Sequence, residues 1–146
     1  MSVSYDARTA VLDVISEYAY TFDEDRIDDL VELFAEDAEW SIYLAGSTAP
    51  LLIATSNQER RSLLQEVRSG PINQEGMPRH FQTNTVLRPL SSDRVAARTM
   101  VAATQQPYDG SPTRVLFTGV YEDEFVMSAS GWRFALRQGR LDAKAL

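Results

Sequence analysis

His80 is the only histidine among 146 residues, and the residues around it alternate in a way that invites chemistry. In Arg79-His80-Phe81-Gln82-Thr83-Asn84-Thr85-Val86, the two-residue period of a strand predicts His80, Gln82 and Asn84 on one face, with Val86 continuing it. If that face is concave, an imidazole and two amides point into a cavity, and imidazole is the natural general base at neutral pH. The alternative is a structural or surface histidine at a sheet edge. Asp23 is the carboxylate that would give His80 a role. It falls at the end of a predicted helix, beside Leu12 at the border of the apolar stripe, where partial burial is possible. Its alternative is a solvated loop acid or a cap for the next helix. Paired, Asp23 would accept from one imidazole nitrogen, fix the tautomer and stabilise the imidazolium as it forms, leaving the other nitrogen to take a proton from carbon.

Aromatic residues are the third feature. Tyr18, Phe22, Trp40, Phe81, Tyr121 and Phe134 are numerous enough to line a pocket for a hydrophobic or aromatic molecule, or simply to build a core. Tyr18 and Trp40 stand out because each adds a polar donor. Arg137 alternates with Trp132, Phe134 and Leu136, so a regular strand predicts it on the opposite face from them. Facing solvent it is unremarkable; facing inward it could hold an anion or a carbonyl oxygen.

The inventory excludes several chemistries. There is no cysteine, hence no disulfide, thiolate metal site or thiol nucleophile, and one histidine cannot build a His-rich metal site within a single chain. Neither a glycine-rich phosphate loop nor a GxSxG elbow is present. Lys and Arg number 14 against 21 Asp and Glu, for a net charge of −7, and the basic residues are scattered. That balance argues against a nucleic-acid partner. No apolar run approaches the roughly 20 residues of a membrane span, and MSVSYDARTA lacks a basic head and apolar core, so a cytoplasmic location is the default expectation.

The elements that must position these side chains follow from periodicity. Val11, Val14, Ile15, Tyr18 and Phe22 form one stripe of a helix starting near Asp6. Asp25 is the expected cap of a second, shorter helix carrying Ile27, Leu30, Val31, Leu33 and Phe34. Ala38 to Leu44 reads as a first strand with Trp40 and Ile42 on one face. Ala45 to Ser56 reads as an irregular connection, and Asn57 to Val67 as a third helix ended by Ser69-Gly70-Pro71. Four long β-type segments follow: Arg79 to Leu90, Arg94 to Gln106, Arg114 to Val126 and Trp132 to Leu141. Short turn-rich connections separate them, as in antiparallel hairpins. Helices first and a meander afterwards predict one α+β domain over residues 1–146, not a doubly wound parallel sheet.

The chain resembles the SnoaL-like branch of the NTF2-like superfamily. The resemblance is carried by Glu17-Tyr18-Ala19-Tyr20-Thr21-Phe22-Asp23, by Leu30 to Trp40, by Arg79-His80-Phe81-Gln82-Thr83-Asn84 and by Gly131 to Arg137, in the same order along nearly the whole chain. It implies a cone-shaped, strongly curved, mostly antiparallel sheet enclosed by three N-terminal helices around a deep pocket. In the eliminating members of the family, such as scytalone dehydratase, an Asp ending the first helix and a His on the sheet abstract a proton. Asp23 and His80 occupy those positions. Tyr18, Trp40, Tyr121 and Arg137 fall at pocket-lining positions by the same likeness, and Asn84 closes the histidine motif. The implied activity is a cofactor-independent lyase, or a cyclase or isomerase, acting on a small hydrophobic or aromatic molecule. Phe22 stands where scytalone dehydratase has a tyrosine, its second histidine is missing, and Ile42 stands where ketosteroid isomerase needs a carboxylate. The superfamily also contains non-catalytic members, so a ligand-binding or assembly module is the competing expectation. Relatives pair through the open face of the sheet, which implies a homodimer or homotrimer.

Overall fold

A computed structural model of the chain describes residues 2–146. Helix α1 (Tyr5–Asp23) starts where the Ser4 hydroxyl accepts from the Ala7 N–H and satisfies one of the free amides of the first turn. Val11, Ile15, Tyr18 and Phe22 are buried on its inner stripe, and Asp23 is buried at its end. The chain then reverses through Asp25, which adopts φ 59°. Helix α2 (Ile27–Glu32) therefore begins at Arg26 with no side-chain cap, and the expected capping role of Asp25 is not realised. Phe34 leaves the helix earlier than its spacing suggested, because it opens strand β1 (Phe34–Tyr43) opposite Phe134.

The predicted irregular connection contains a short strand, β2 (Leu52–Ala54), antiparallel to β1. Helix α3 (Asn57–Ser69) is capped by Ser56, and the one-turn α4 (Pro71–Gln74) follows at Gly70. The four long strands are β3 (Gly76–Ser91), β4 (Arg94–Pro107), β5 (Arg114–Ser128) and β6 (Gly131–Leu141). One six-stranded sheet results, in the order β2-β1-β6-β5-β4-β3, with β1 and β6 its single parallel pair among the described residues. The fold is α+β with a mostly antiparallel sheet. Helix α1 touches both β3 and β6, although β4 and β5 lie between them, so the sheet wraps around the helix.

Two one-residue bulges decide which side chains face inward. In β3 the register passes from Thr83 opposite Met100 to Val86 opposite Arg98, with Asn84 at φ 58° as the inserted residue. His80 and Gln82 face the helices; beyond the bulge Thr85 takes the inner face and bonds Thr99, while Val86 is exposed. In β6 Phe134 pairs with Phe125 and Leu136 with Glu124, so Ala135 is the extra residue. That bulge turns Arg137 onto the same buried face as Trp132 and Phe134.

Arg60 fastens α3 to the start of β1. Its buried guanidinium donates to the carbonyls of Ala35, Glu36 and Ala38 and to Asn57 Oδ1, and lies 5.0 Å from the Phe34 ring centroid. An Arg60→Met variant orphans several carbonyls at once. It is expected to lose about 3 kcal/mol or more of stability, seen as a Tm lower by about 6–12 °C. Arg61→Ala, which removes only an exposed pair with Asp28, should stay within about 0.5 kcal/mol of the parent. Thermal unfolding of both variants checks the contrast.

Candidate active site

The end of α1 and the middle of β3 meet at Asp23 and His80. Asp23 Oδ2 accepts from the His80 backbone N–H at 2.8 Å, and Oδ1 lies 2.6 Å from His80 Nδ1. Both side chains are buried, Asp23 to 3% exposure and the imidazole to 7%. The carboxylate sits where the dipole of α1 is unfavourable to an anion, and the two contacts with His80 offset that cost. Because Nδ1 is turned to Asp23, Nε2 is the free ring nitrogen, with no hydrogen-bond partner among the described residues. Phe22 holds the ring edge-on at a centroid distance of 4.8 Å, and Phe117 packs at 5.9 Å.

His80 forms part of the wall of a cavity of about 650 Å³. Its floor is the inner face of the sheet, with Trp40 from β1, Tyr121 and Phe117 from β5 and Tyr18 from α1. Leu51 and Leu52, α4 and Ala143, Ala145 and Leu146 near the C-terminus close the sides. Trp40 Nε1 donates to the Tyr18 hydroxyl at 3.1 Å, and the Tyr121 ring stands against Tyr18 at 5.8 Å. Burial pushes the Tyr18 phenol above its ordinary value, with Arg137 partly offsetting it, and burial pushes Tyr121 well above. Both remain hydrogen-bond donors through the neutral range. Space for the Tyr121 ring depends on Gly139, where a Cβ would stand 2.6 Å from Ile42 Cδ1 and 3.2 Å from Tyr121 Cε1.

Of the residues singled out in the sequence, the fold brings Asp23, His80, Tyr18, Trp40 and Tyr121 together. Two others do not join them. Asn84 is exposed at the β3 bulge, because the inserted residue breaks the alternation that placed it beside Gln82. Arg137 is inward, contrary to the face predicted from Trp132 and Phe134, yet it is not at the cavity wall. It lies behind the wall with no exposure, its guanidinium carbon 3.9 Å from the Tyr121 centroid, 4.1 Å from Tyr18 and 4.5 Å from Phe134. Asp123 holds it through two bonds of 3.0 Å, to Nε and Nη2, and Gln82 Oε1 accepts from Nη2 at 2.9 Å. Burial opposes the charge of Arg137, but the attraction of Asp123 outweighs it and keeps the guanidinium above its ordinary value. Burial likewise pushes the Asp123 carboxyl up, against the pull of Arg137.

Asp123 and Phe117 are the neighbours that the sequence reading missed as parts of this arrangement, while Gln82, expected on the face of His80, is there but spends its amide on the Ile15 carbonyl and on Arg137 rather than on the cavity. Tyr121, Asp123 and Phe125 alternate on β5 and share its inner face, so that regularity was the available signal for Asp123. Phe81, counted among the candidate aromatics, faces outward and is exposed, while Phe134 belongs to the core beneath Arg137. No group of three or more His, Cys, Asp or Glu converges among the described residues, and none of their helices is long and apolar enough to cross a membrane.

The family model of the SnoaL-like domain matches residues 3–138. The chain belongs to the SnoaL-like family. Solved structures similar to this SnoaL-like chain share its fold at low identity. A protein described as the beta subunit of an aromatic-ring-hydroxylating dioxygenase from Novosphingobium aromaticivorans is 23% identical, covers 96% of this chain and 92% of its own, and superposes with a TM-score of 0.81. One described as a scytalone dehydratase from the same organism is also 23% identical, with 92% and 83% covered and a TM-score of 0.73. LinA is 22% identical, with 94% and 86% covered and a TM-score of 0.76. No curated protein matches the chain. At these identities the likenesses establish a common NTF2-like, cystatin-like fold.

Proposed function

We propose that this SnoaL-like chain, working as one domain over residues 1–146, is a cofactor-independent lyase. His80, oriented by Asp23, removes a proton from a carbon of a small hydrophobic or aromatic substrate. The observation that carries this reading is the two-point grip of Asp23 on His80, with Nε2 left free at the wall of an apolar cavity. The C–H bond breaks with its proton going to Nε2, and its electron pair becomes the new C=C bond. The leaving group on the adjacent carbon departs with its own bonding pair and receives a proton from the imidazolium. As the imidazole gains charge, Asp23 stabilises it. Tyr18 is placed to donate to an oxygen on which charge develops. Likeness to a protein described as a scytalone dehydratase supports a lyase or an isomerase acting on a small molecule. A cyclase or isomerase would begin with the same proton transfer.

The test is a screen of elimination and cyclisation substrates with the parent and with His80→Ala. The variant is expected to lose about 10²-fold to 10⁴-fold in turnover. Turnover unchanged by His80→Ala would sink the proposal.

A second reading, ligand binding or assembly without turnover, draws support from the outer sheet face. Phe81, Val86, Met100 and Val115 are exposed there, an apolar surface suited to a second copy in a homodimer or homotrimer. Likeness to a protein described as a dioxygenase beta subunit points the same way.

A further inference from the structure

The cavity wall contains no Lys, Arg, Asp or Glu among the described residues. Its polar members are Tyr18, Trp40, Asn73, His80 and Tyr121, and most of their hydrogen-bonding capacity is already committed. The Asn73 amide donates to the Val67 carbonyl at 2.8 Å, and its oxygen accepts from Arg68 at 3.1 Å. The indole N–H of Trp40 is spent on the Tyr18 hydroxyl oxygen. His80 turns Nδ1 to Asp23. What remains is the lone pair of Nε2 and the hydroxyl proton of Tyr18, since the Tyr121 hydroxyl is itself directed at the Tyr18 oxygen. Since the Tyr18 oxygen accepts from Trp40, its own proton is directed away from the indole and is free for another acceptor.

Charge is balanced just as tightly. The cation nearest the phenols, Arg137, is buried behind them and paired with Asp123. When His80 is protonated, Asp23 already neutralises it. An anion entering this cavity would give up its hydration and meet no unpaired cation, which is strongly unfavourable. A neutral carbonyl or hydroxyl oxygen would lose little and gain a phenol donor.

We propose that the cavity selects an uncharged, ring-bearing substrate whose carbonyl or hydroxyl oxygen accepts from Tyr18, with Trp40 orienting that phenol, and that carboxylates and phosphates are excluded. The choice of reacting C–H bond rests on the base role proposed for His80; the charge preference does not.

Calorimetric titration with three probes of one ring system tests the proposal: 2-acetonaphthone, naphthalene and 2-naphthoate. The parent is expected to bind the ketone at least about tenfold more tightly than the carboxylate. The ketone should also exceed naphthalene by about fivefold. Tyr18→Phe should bring the ketone down to the level of naphthalene while leaving naphthalene itself unchanged, and this second condition shows that the cavity is intact. Trp40→Phe, which frees the phenol to rotate, should lose part of the same preference. Equal or tighter binding of 2-naphthoate overturns the charge selection. Retention of the ketone's advantage in Tyr18→Phe overturns the role of Tyr18. In His80→Gln the order of affinities should persist, so failure of the base proposal would show as turnover retained in that variant with the probe order intact.

Discussion

Asp23→Asn is expected to cost about 10³-fold in turnover, far more than the loss of one charge would suggest, because it reverses the proton arrangement on His80. As a carboxylate, Asp23 is an acceptor at both oxygens: one receives the His80 backbone N–H and the other receives Nδ1–H. An asparagine in the same position has one acceptor and one donor to offer. The backbone N–H can only donate, so the amide oxygen must turn to it and the amide NH2 must face the ring. Nδ1 then becomes the acceptor, and the proton of the neutral imidazole moves to Nε2. The nitrogen facing the cavity loses the lone pair that takes the proton. With a single histidine in the chain, 15N NMR reports this directly without assignment. The parent should show a neutral ring protonated at Nδ1, and Asp23→Asn a ring protonated at Nε2. A variant with parental turnover, or with the parental tautomer, would remove Asp23 from the mechanism.

This pairing also marks the boundary of what a sequence discloses. The stripe Val11, Ile15, Tyr18 and Phe22 and the four long strands were legible, because helix and strand periods repeat over several turns or pleats. The approach of Asp23 to His80 spans 57 positions, and their adjacency came from resemblance rather than from spacing. Asn84 and Arg137 were misplaced for one common reason. A bulge adds a single residue to one strand, and every side chain beyond it changes face. Neither Asn84 nor Ala135 announces such an insertion by its type. The inserted residue exists only relative to the partner strand, so the information lies in the pairing of β3 with β4 and of β6 with β5. Strand β2 escaped notice because its three residues are too few to show a period. Phe34, apolar at helical spacing after Leu30 and Val31, was claimed by its stacking on Phe134, a contact 100 positions away.

The β6 bulge has a large energetic consequence, since it buries Arg137 and obliges the fold to supply Asp123. Arg137→Met is expected to destabilise the protein by about 3–5 kcal/mol, because it leaves an unpaired carboxylate in the core and removes the cation stacked on Tyr18, Tyr121 and Phe134. The loss should depend on pH in a definite direction. Burial already raises the Asp123 carboxyl above its ordinary 3.8, and only Arg137 pulls it down, so the variant raises it further. An acid raised in this way binds its proton more readily in the folded chain than in the unfolded one. Stability therefore falls as pH rises through the folded value, and the contribution is fully regained only below the unfolded value. The difference between parent and variant should accordingly be smaller at pH about 5 than at about 8, measured by urea unfolding at both. The double variant Asp123→Leu with Arg137→Met removes both charges together and should recover most of the loss. If the single variant matched the parent at both pH values, the pair would be no more than filler. Recovery in the double variant would instead separate what the pair does for stability from what it does for the cavity, since the phenols would then stand without a cation behind them.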